Sequence, residues 1–406
     1  MIDQVSSQKN AAGGASWSAV FAMSVCAFAL VASEFMPVSL LTPMAGDLGV
    51  TEGMAGQGIA ISGAFAVLTS LFISVLAGSL NRKTLLLTLT AAMGLSGAVV
   101  ALAPNYPVYM LGRALIGVVI GGFWSMSAAT AIRLVPADEV PRALAILNGG
   151  NALATVVAAP LGAYLGVVIG WRGAFIALVP VAAATLAWQW IALPAMPVPA
   201  RTKQPGAAAG ARQAMRIFQL FKHGGAAVGL AASSLFFMGQ FALFTYVRPF
   251  LETVTRVQAP ALSLILLVVG AAGIIGTMLI GRALRWRFHR TLTAIPLLMA
   301  LIALALVAFG GSAAAVVVLL GLWGFAGTAA PVGWWAWVAR TFPQDAEAGG
   351  GLFVAVVQLA IALGSTLGGL LFDRSGYLGT FGASAVLLLA AAMLTAAMPG
   401  ARPARG

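Results

Sequence analysis

The feature that most limits what this chain can fold into is an apolar segment of roughly 20 residues that recurs twelve times. About 20 residues of α-helix cross a ~30 Å hydrocarbon layer with every backbone group bonded internally. The segments cover about 17–40, 54–79, 84–103, 107–131, 143–168, 172–193, 224–248, 261–281, 291–310, 313–338, 349–371 and 378–398. A soluble domain could not solvate that much apolar surface, because 61% of residues are hydrophobic and 8% charged. A transmembrane β-barrel is excluded too, since its strands alternate polar and apolar positions over ~10 residues. The expected class is an all-α integral membrane protein of twelve transmembrane helices.

The position of the charges orients the spans. Net charge is +12, which could suit nucleic acid, but the distribution decides otherwise. With the N-terminus inside, 17 of the 22 Lys and Arg residues fall on cytoplasmic segments. Four (Arg172, Arg248, Arg256, Arg374) fall outside, and Arg113 lies within a span. This is the positive-inside bias, so both termini are expected in the cytoplasm. The expected partners are then the lipid bilayer and a small-molecule substrate, with no nucleic acid. The first span is too long for a signal-peptide core and is expected to be retained. Cys26 is alone and reads as a small buried apolar residue.

The longest polar interruption runs from Pro194 to His223, with six spans on either side. The organisation expected is a tail (1–16), a six-helix bundle (17–193), a cytoplasmic linker (194–223), a second six-helix bundle (224–398) and a tail (399–406). Two such bundles can rock about a site at the bilayer midplane. The halves also echo each other. Gly78-Ser79-Leu80-Asn81-Arg82-Lys83 follows the second span, and Gly281-Arg282-Ala283-Leu284-Arg285 follows the eighth.

With these loops, the chain resembles the major facilitator superfamily over essentially its whole length. The first loop is similar to that family's signature between helices 2 and 3, with Asn81 at the acidic position. Leu111-Gly112-Arg113-Ala114-Leu115-Ile116-Gly117 resembles the fourth-helix motif. Gly150 through Ala159-Pro160-Leu161-Gly162 resembles the fifth-helix antiporter motif, with Ala159 replacing a glycine. The stretches Trp17–Phe21, Glu34–Met44, Gly121–Ala128, Gly239–Pro249 and Pro331–Trp334 resemble the bacterial purine ribonucleoside efflux pumps. Arabinose-type sugar exporters share parts of the first of these. The resemblance implies two pseudo-symmetric bundles in a bacterial inner membrane, acting as a monomer. It also implies export of inosine and guanosine by proton antiport, with protons as coupling ion and no other cofactor. Sugar or drug efflux by the same fold is the alternative.

Within that frame the buried polar residues become candidates. Glu34 is the one acidic residue of ten that lies inside an apolar run. A carboxylate in a low-dielectric bundle takes a partner or a proton, so Glu34 is the expected proton carrier. With the first span ending near residue 40, Glu34 lies ~9 Å inside its outer end, at nearly the depth of Arg113. Helices 1 and 4 both face the cavity in the superfamily, so the two are expected to meet. Arg113 would then tune Glu34, or the two would form a static pair that fixes packing. Trp124 shares a helix face with Arg113 and suits stacking on a planar solute, or packing. Asn148, Asn151 and Thr155 form a polar stripe that either lines a cavity or glues helices. Gln240 and Phe244 share a face of the seventh span, and Gln358 is a lone amide in the eleventh. Trp334, Trp335 and Trp337 are expected as interfacial anchors, and Arg248 and Arg340 as headgroup anchors.

Other chemistries leave no trace. There is no Gly-x-x-x-x-Gly-Lys-Ser/Thr loop for ATP, and no metal-ligand spacing. His223 and His289 fall at loop edges. A polytopic enzyme would be expected to show a nucleophile and base at the midplane, and a sensor an appended soluble domain. An enzyme is therefore not expected.

Overall fold

The structure, a computed structural model, describes residues 15–77, 80–196, 225–342 and 346–398. Both expected tails (all but residues 15–16 of the first), nearly all of the expected linker with His223, and Gly78-Ser79 lie outside the described residues. Seven helices come first: α1 (Trp17–Leu48), α2 (Glu52–Ala77), α3 (Arg82–Ala101), α4 (Tyr106–Leu134), α5 (Val140–Val168), α6 (Gly170–Ala192) and α7 (Ala226–Thr253). Three longer stretches follow, Ala259–Phe309, Ala313–Thr341 and Ala346–Ala396.

The first and last of these have 51 residues each, about 77 Å if straight and more than twice the hydrocarbon thickness. Each is broken by one non-helical residue, Arg287 (φ −146°, ψ 73°) and Gly376 (φ 64°, ψ −158°). Side chains reach back across both breaks. Thr291 Oγ1 donates to the carbonyl of Ala283 at 3.2 Å, and Thr380 Oγ1 to that of Gly368 at 3.1 Å. Along a straight helix those groups would be ~12 and ~18 Å apart, so the chain doubles back. The arms are α8 (259–286) and α9 (288–309), then α10 (Ala313–Thr341), α11 (346–375) and α12 (377–396). They coincide with the last five apolar runs.

One boundary differs from expectation. The first helix does not stop near residue 40 but passes through Pro37 and Pro43 to Leu48. It ends at Gly49, whose φ of 65° turns the chain out of the helix. Asn81 has a structural task in place of an acidic residue: Oδ1 accepts from the N–H of Lys83 at 2.9 Å and of Met196 at 3.0 Å. It thus caps α3 and ties that end to the exit of α6.

Buried side chains collect by half. Two clusters draw only on residues 19–196. The largest draws on residues 226–398, with Val38, Ile59, Ala159 and Ala163 reaching in from the first half. Glycines set the helix spacing. A Cβ on Gly117 or Gly121 of α4 would collide with the carbonyls of Ser62 and Ala66 in α2, and one on Gly150 with that of Ser24 in α1. Large apolar side chains such as Leu264, Ile275 and Met278 point outward, as lipid contact requires. The end of the bundle holding residues 17 and 396 is called proximal below, and the opposite end distal.

Candidate functional site

Proline has no N–H, so each proline inside a helix leaves the carbonyl four residues earlier without its ladder partner. In α1, Pro37 frees the carbonyl of Ser33. Arg113, fully buried on α4, answers it: Nη1 donates to Ser33 O at 2.8 Å. Its Nη2 donates to the backbone carbonyl of Glu34 at 3.1 Å and to Ser62 Oγ at 3.3 Å, and Nε to Gly58 O at 3.1 Å. The guanidinium therefore spends its donors on three backbone carbonyls and one hydroxyl of α1 and α2. The expected pairing of the Arg113 and Glu34 side chains is not formed; the two meet through Glu34's backbone oxygen. Arg113 reads as a structural clasp of three helices.

Glu34 is buried, and because α1 runs on to Leu48 it sits ~21 Å from the helix end rather than ~9 Å. Its side chain turns to the second half. Gln358 Nε2, on α11, donates to Glu34 Oε1 at 3.3 Å, between residues 324 positions apart. One residue on, Phe35 stacks on Phe241 of α7 at 5.6 Å, and Phe241 meets Phe244 edge-on at 6.5 Å. Gln240 turns toward Gly327 of α10. The side-chain oxygens of Gln240 and Gln358 are buried and without a hydrogen-bond partner among the described residues.

Among the described residues, the other candidates share no hydrogen bond or ring contact with this pair. Asn148 and Thr155 are exposed on α5 and bond their own helix, to Leu144 O and Asn151 O, both at 2.9 Å. With Asn151 half-buried, the stripe makes no side-chain hydrogen bond to a neighbouring helix among the described residues. Trp124 is half-buried and lies edge-on to Phe123 at 5.5 Å. The glycines that share its face make room for α2.

Two anchoring expectations need correction. Trp334 and Trp337 are buried, at 1% and 6% exposure, in an aromatic cluster with Phe236 and Phe342. Trp335 is 45% exposed, which fits an anchor. Arg340 is exposed over the Phe288 ring, but Arg248 is 7% exposed and bonds across the halves.

That bond belongs to a distal closure the sequence reading missed. Arg248 Nη1 donates to Ser39 O, and Tyr246 Oη donates to Ser365 O at 2.9 Å while reaching Gly53 O at 3.5 Å. Asp373 accepts from Thr51 Oγ1 at 2.6 Å and from the N–H of Gly53 at 3.0 Å, so a carboxylate of the second half caps α2. Thr366 Oγ1 donates to Gln57 Oε1 at 3.1 Å. These bonds join α1 and α2 to α7 and α11 on the distal side of Glu34.

The sequence model of the Major Facilitator Superfamily matches residues 23–350. The chain belongs to that superfamily. It is a multi-pass membrane transporter, not an enzyme. Over 380 residues it is 74% identical to the transcription regulatory protein OpdE of Pseudomonas aeruginosa, covering 94% of this chain and 93% of that one. It is 38% identical over 382 residues to the purine ribonucleoside efflux pump NepI of Salmonella enteritidis, covering 94% of each. Among solved structures, a bacterial homologue of the human lysosomal transporter Spinster, in an inward-facing and unoccupied conformation, superposes with a TM-score of 0.78 at 15% identity. It covers 94% of this chain and 96% of its own. The nucleoside transporter NupG gives 0.73 at 13% identity, covering 94% and 98%. At such identities the transporter shares a fold with them.

Proposed function

We propose that this transporter exports purine ribonucleosides by proton antiport, with Glu34 as the proton carrier. The observation that carries the reading is the Glu34 carboxylate, buried mid-helix and joined to Gln358 of the opposite half. A carboxylate at the contact between two moving bundles changes surroundings when they part, which is what coupling a proton to the cycle requires. Arg113 is already committed to backbone carbonyls and leaves the carboxylate free to exchange its proton.

The substrate class rests on the 38% identity to the nucleoside efflux pump. The site chemistry fits it: aromatic Phe35, Phe241 and Phe244 suit a purine face, and the amides of Gln240, Asn148 and Asn151 suit its polar edge and ribose. The excess of Lys and Arg on the expected cytoplasmic segments supports a proximal end facing the cytoplasm of a bacterial inner membrane, with both termini inside. The distal closure then makes this an inward-facing state. One proton moving through ~100 mV supplies about 2.3 kcal/mol, a roughly fifty-fold gradient of neutral solute.

The test of substrate is uptake of labelled inosine into inverted vesicles with an acidic interior, challenged with guanosine, a pentose and a lipophilic drug. Competition by guanosine alone supports the reading. No inosine uptake, with uptake of labelled pentose or drug in its place, moves the substrate to that class.

A second reading is favoured by the 74% identical relative OpdE, described as a transcription regulatory protein. A transporter can regulate transcription by setting the concentration of a solute that a separate regulator senses. On that reading a transport-dead Glu34→Gln chain loses the transcriptional effect. An effect retained in that variant would separate regulation from transport.

A further inference from the structure

The second proline of α1 repeats the arrangement of the first, with one difference. Pro43 frees the carbonyl of Ser39 just as Pro37 frees that of Ser33. Each freed oxygen receives an arginine: Arg113 on Ser33, Arg248 on Ser39. The first contact lies inside one half and is buried on every side. The second joins α1 of the first half to α7 of the second, at the distal end. We propose that Arg248 is the latch of the distal closure, a positioning residue that holds the two halves together by capping the carbonyl Pro43 leaves open.

The surroundings of Arg248 fit a contact that must open and close. Its Nε is held by Glu252 Oε1 at 2.8 Å, one turn along α7, which aims the rest of the guanidinium at Ser39. The helix is interrupted just before it, with Tyr246 at φ −107° and ψ 17°, and Pro249 follows. The Glu252 Oε2 atom is buried with no hydrogen-bond partner among the described residues. Opening the distal end would hydrate that oxygen, the Ser39 carbonyl and the guanidinium together, which offsets the lost bond. Arg113 has no such exit to water, so the same pairing is permanent there and reversible here. This inference rests on the transporter fold and is independent of the substrate.

The experiment uses the full chain in lipid nanodiscs with Cys26→Ala, spin-labelled at Leu102→Cys and Leu378→Cys. Both positions are exposed distal sites, one in each half. Pulsed EPR reads the distance between them. Arg248→Met is expected to raise the ratio of long to short distances about tenfold, the size of one charge-assisted hydrogen bond. Pro43→Ala gives Ser39 an in-helix N–H again without touching the arginine, and should shift the ratio the same way. Combining the two should add little beyond either, because both remove one contact. A role in packing alone would make the two effects add. Where Arg248→Met does not fold, Arg248→Lys carries the same prediction with a smaller shift, since one ammonium cannot serve Ser39 and Glu252 in the same geometry. Distances unchanged from the parent in both Arg248 variants, or full additivity with Pro43→Ala, would overturn the proposal.

Discussion

Among the described residues, the buried charges of the first half are Glu34 and Arg113, deep in the packing of α1, α2 and α4; that of the second is Arg248, at the distal end and facing the first half. What the second half offers to Glu34 is neutral: an amide from α11 and aromatic rings from α7. On the proposed reading, the first half holds the group that exchanges a proton. The second supplies surfaces that close over it, and Arg248, its one buried charge among the described residues, is proposed to serve the closing. A bundle that must move needs its contacts to be replaceable by water, whereas a clasp inside a bundle does not.

The sharpest way to break this contrast is to compare the two arginines. Arg113→Leu strips the donors from three buried carbonyls and should cost about 3–5 kcal/mol, so little folded protein is expected. Arg248→Met should leave unfolding in detergent within about 1 kcal/mol of the parent, because its partners reach water on opening. Equal losses of thermal stability would erase the distinction between clasp and latch.

Packing at glycines should not distinguish the halves. Gly150→Val and Gly276→Val place a side chain against the carbonyls of Ser24 and Phe325, and each should cost about 1–3 kcal/mol. Gly149→Ala and Gly281→Ala meet open space and should stay within about 0.5 kcal/mol. A costly Gly281→Ala would show that the second half is packed differently from the structure described.

Asp373→Asn weakens the cap that the second half places on α2. The expected loss is ~0.5–1 kcal/mol of distal closure, read as a several-fold rise in the open population by the same EPR pair. The smallest effect is expected at Thr155→Val. Its hydroxyl bonds its own helix, so stability should hold within about 0.5 kcal/mol while half-saturation for inosine rises a few-fold. Unchanged half-saturation would remove the α5 stripe from the solute path.

Much of this was legible in the sequence, and the failures share a cause. Run length alone located the spans, and the doubling-back at Arg287 and Gly376 falls in the expected gaps 281–291 and 371–378. Glu34 stood out because a carboxylate in an apolar run is rare. The end of α1 lay beyond the expected span because about 20 residues cross the hydrocarbon layer, whereas this helix runs 32 residues through two prolines. Inside a membrane bundle the freed carbonyls can instead be capped by side chains, and here arginines do so. Ser33 and Ser39, four residues before Pro37 and Pro43, carried that signal, with two arginines available to answer it. The Glu34–Gln358 contact was not legible, since nothing local links residues so far apart in the chain. The closure around Tyr246, Arg248 and Asp373 was hidden for the same reason: polar residues near span ends read equally well as headgroup anchors.

The most direct test of the central claim compares Glu34→Gln with the parent chain in two assays on inverted vesicles. One is inosine accumulation driven by an acidic interior; the other is inosine exchange at equal pH on both sides. The account predicts that the glutamine, neutral and of the same shape, abolishes driven accumulation while exchange persists. Accumulation at the parent level in Glu34→Gln, still sensitive to an uncoupler, would contradict it and place proton coupling elsewhere in the chain.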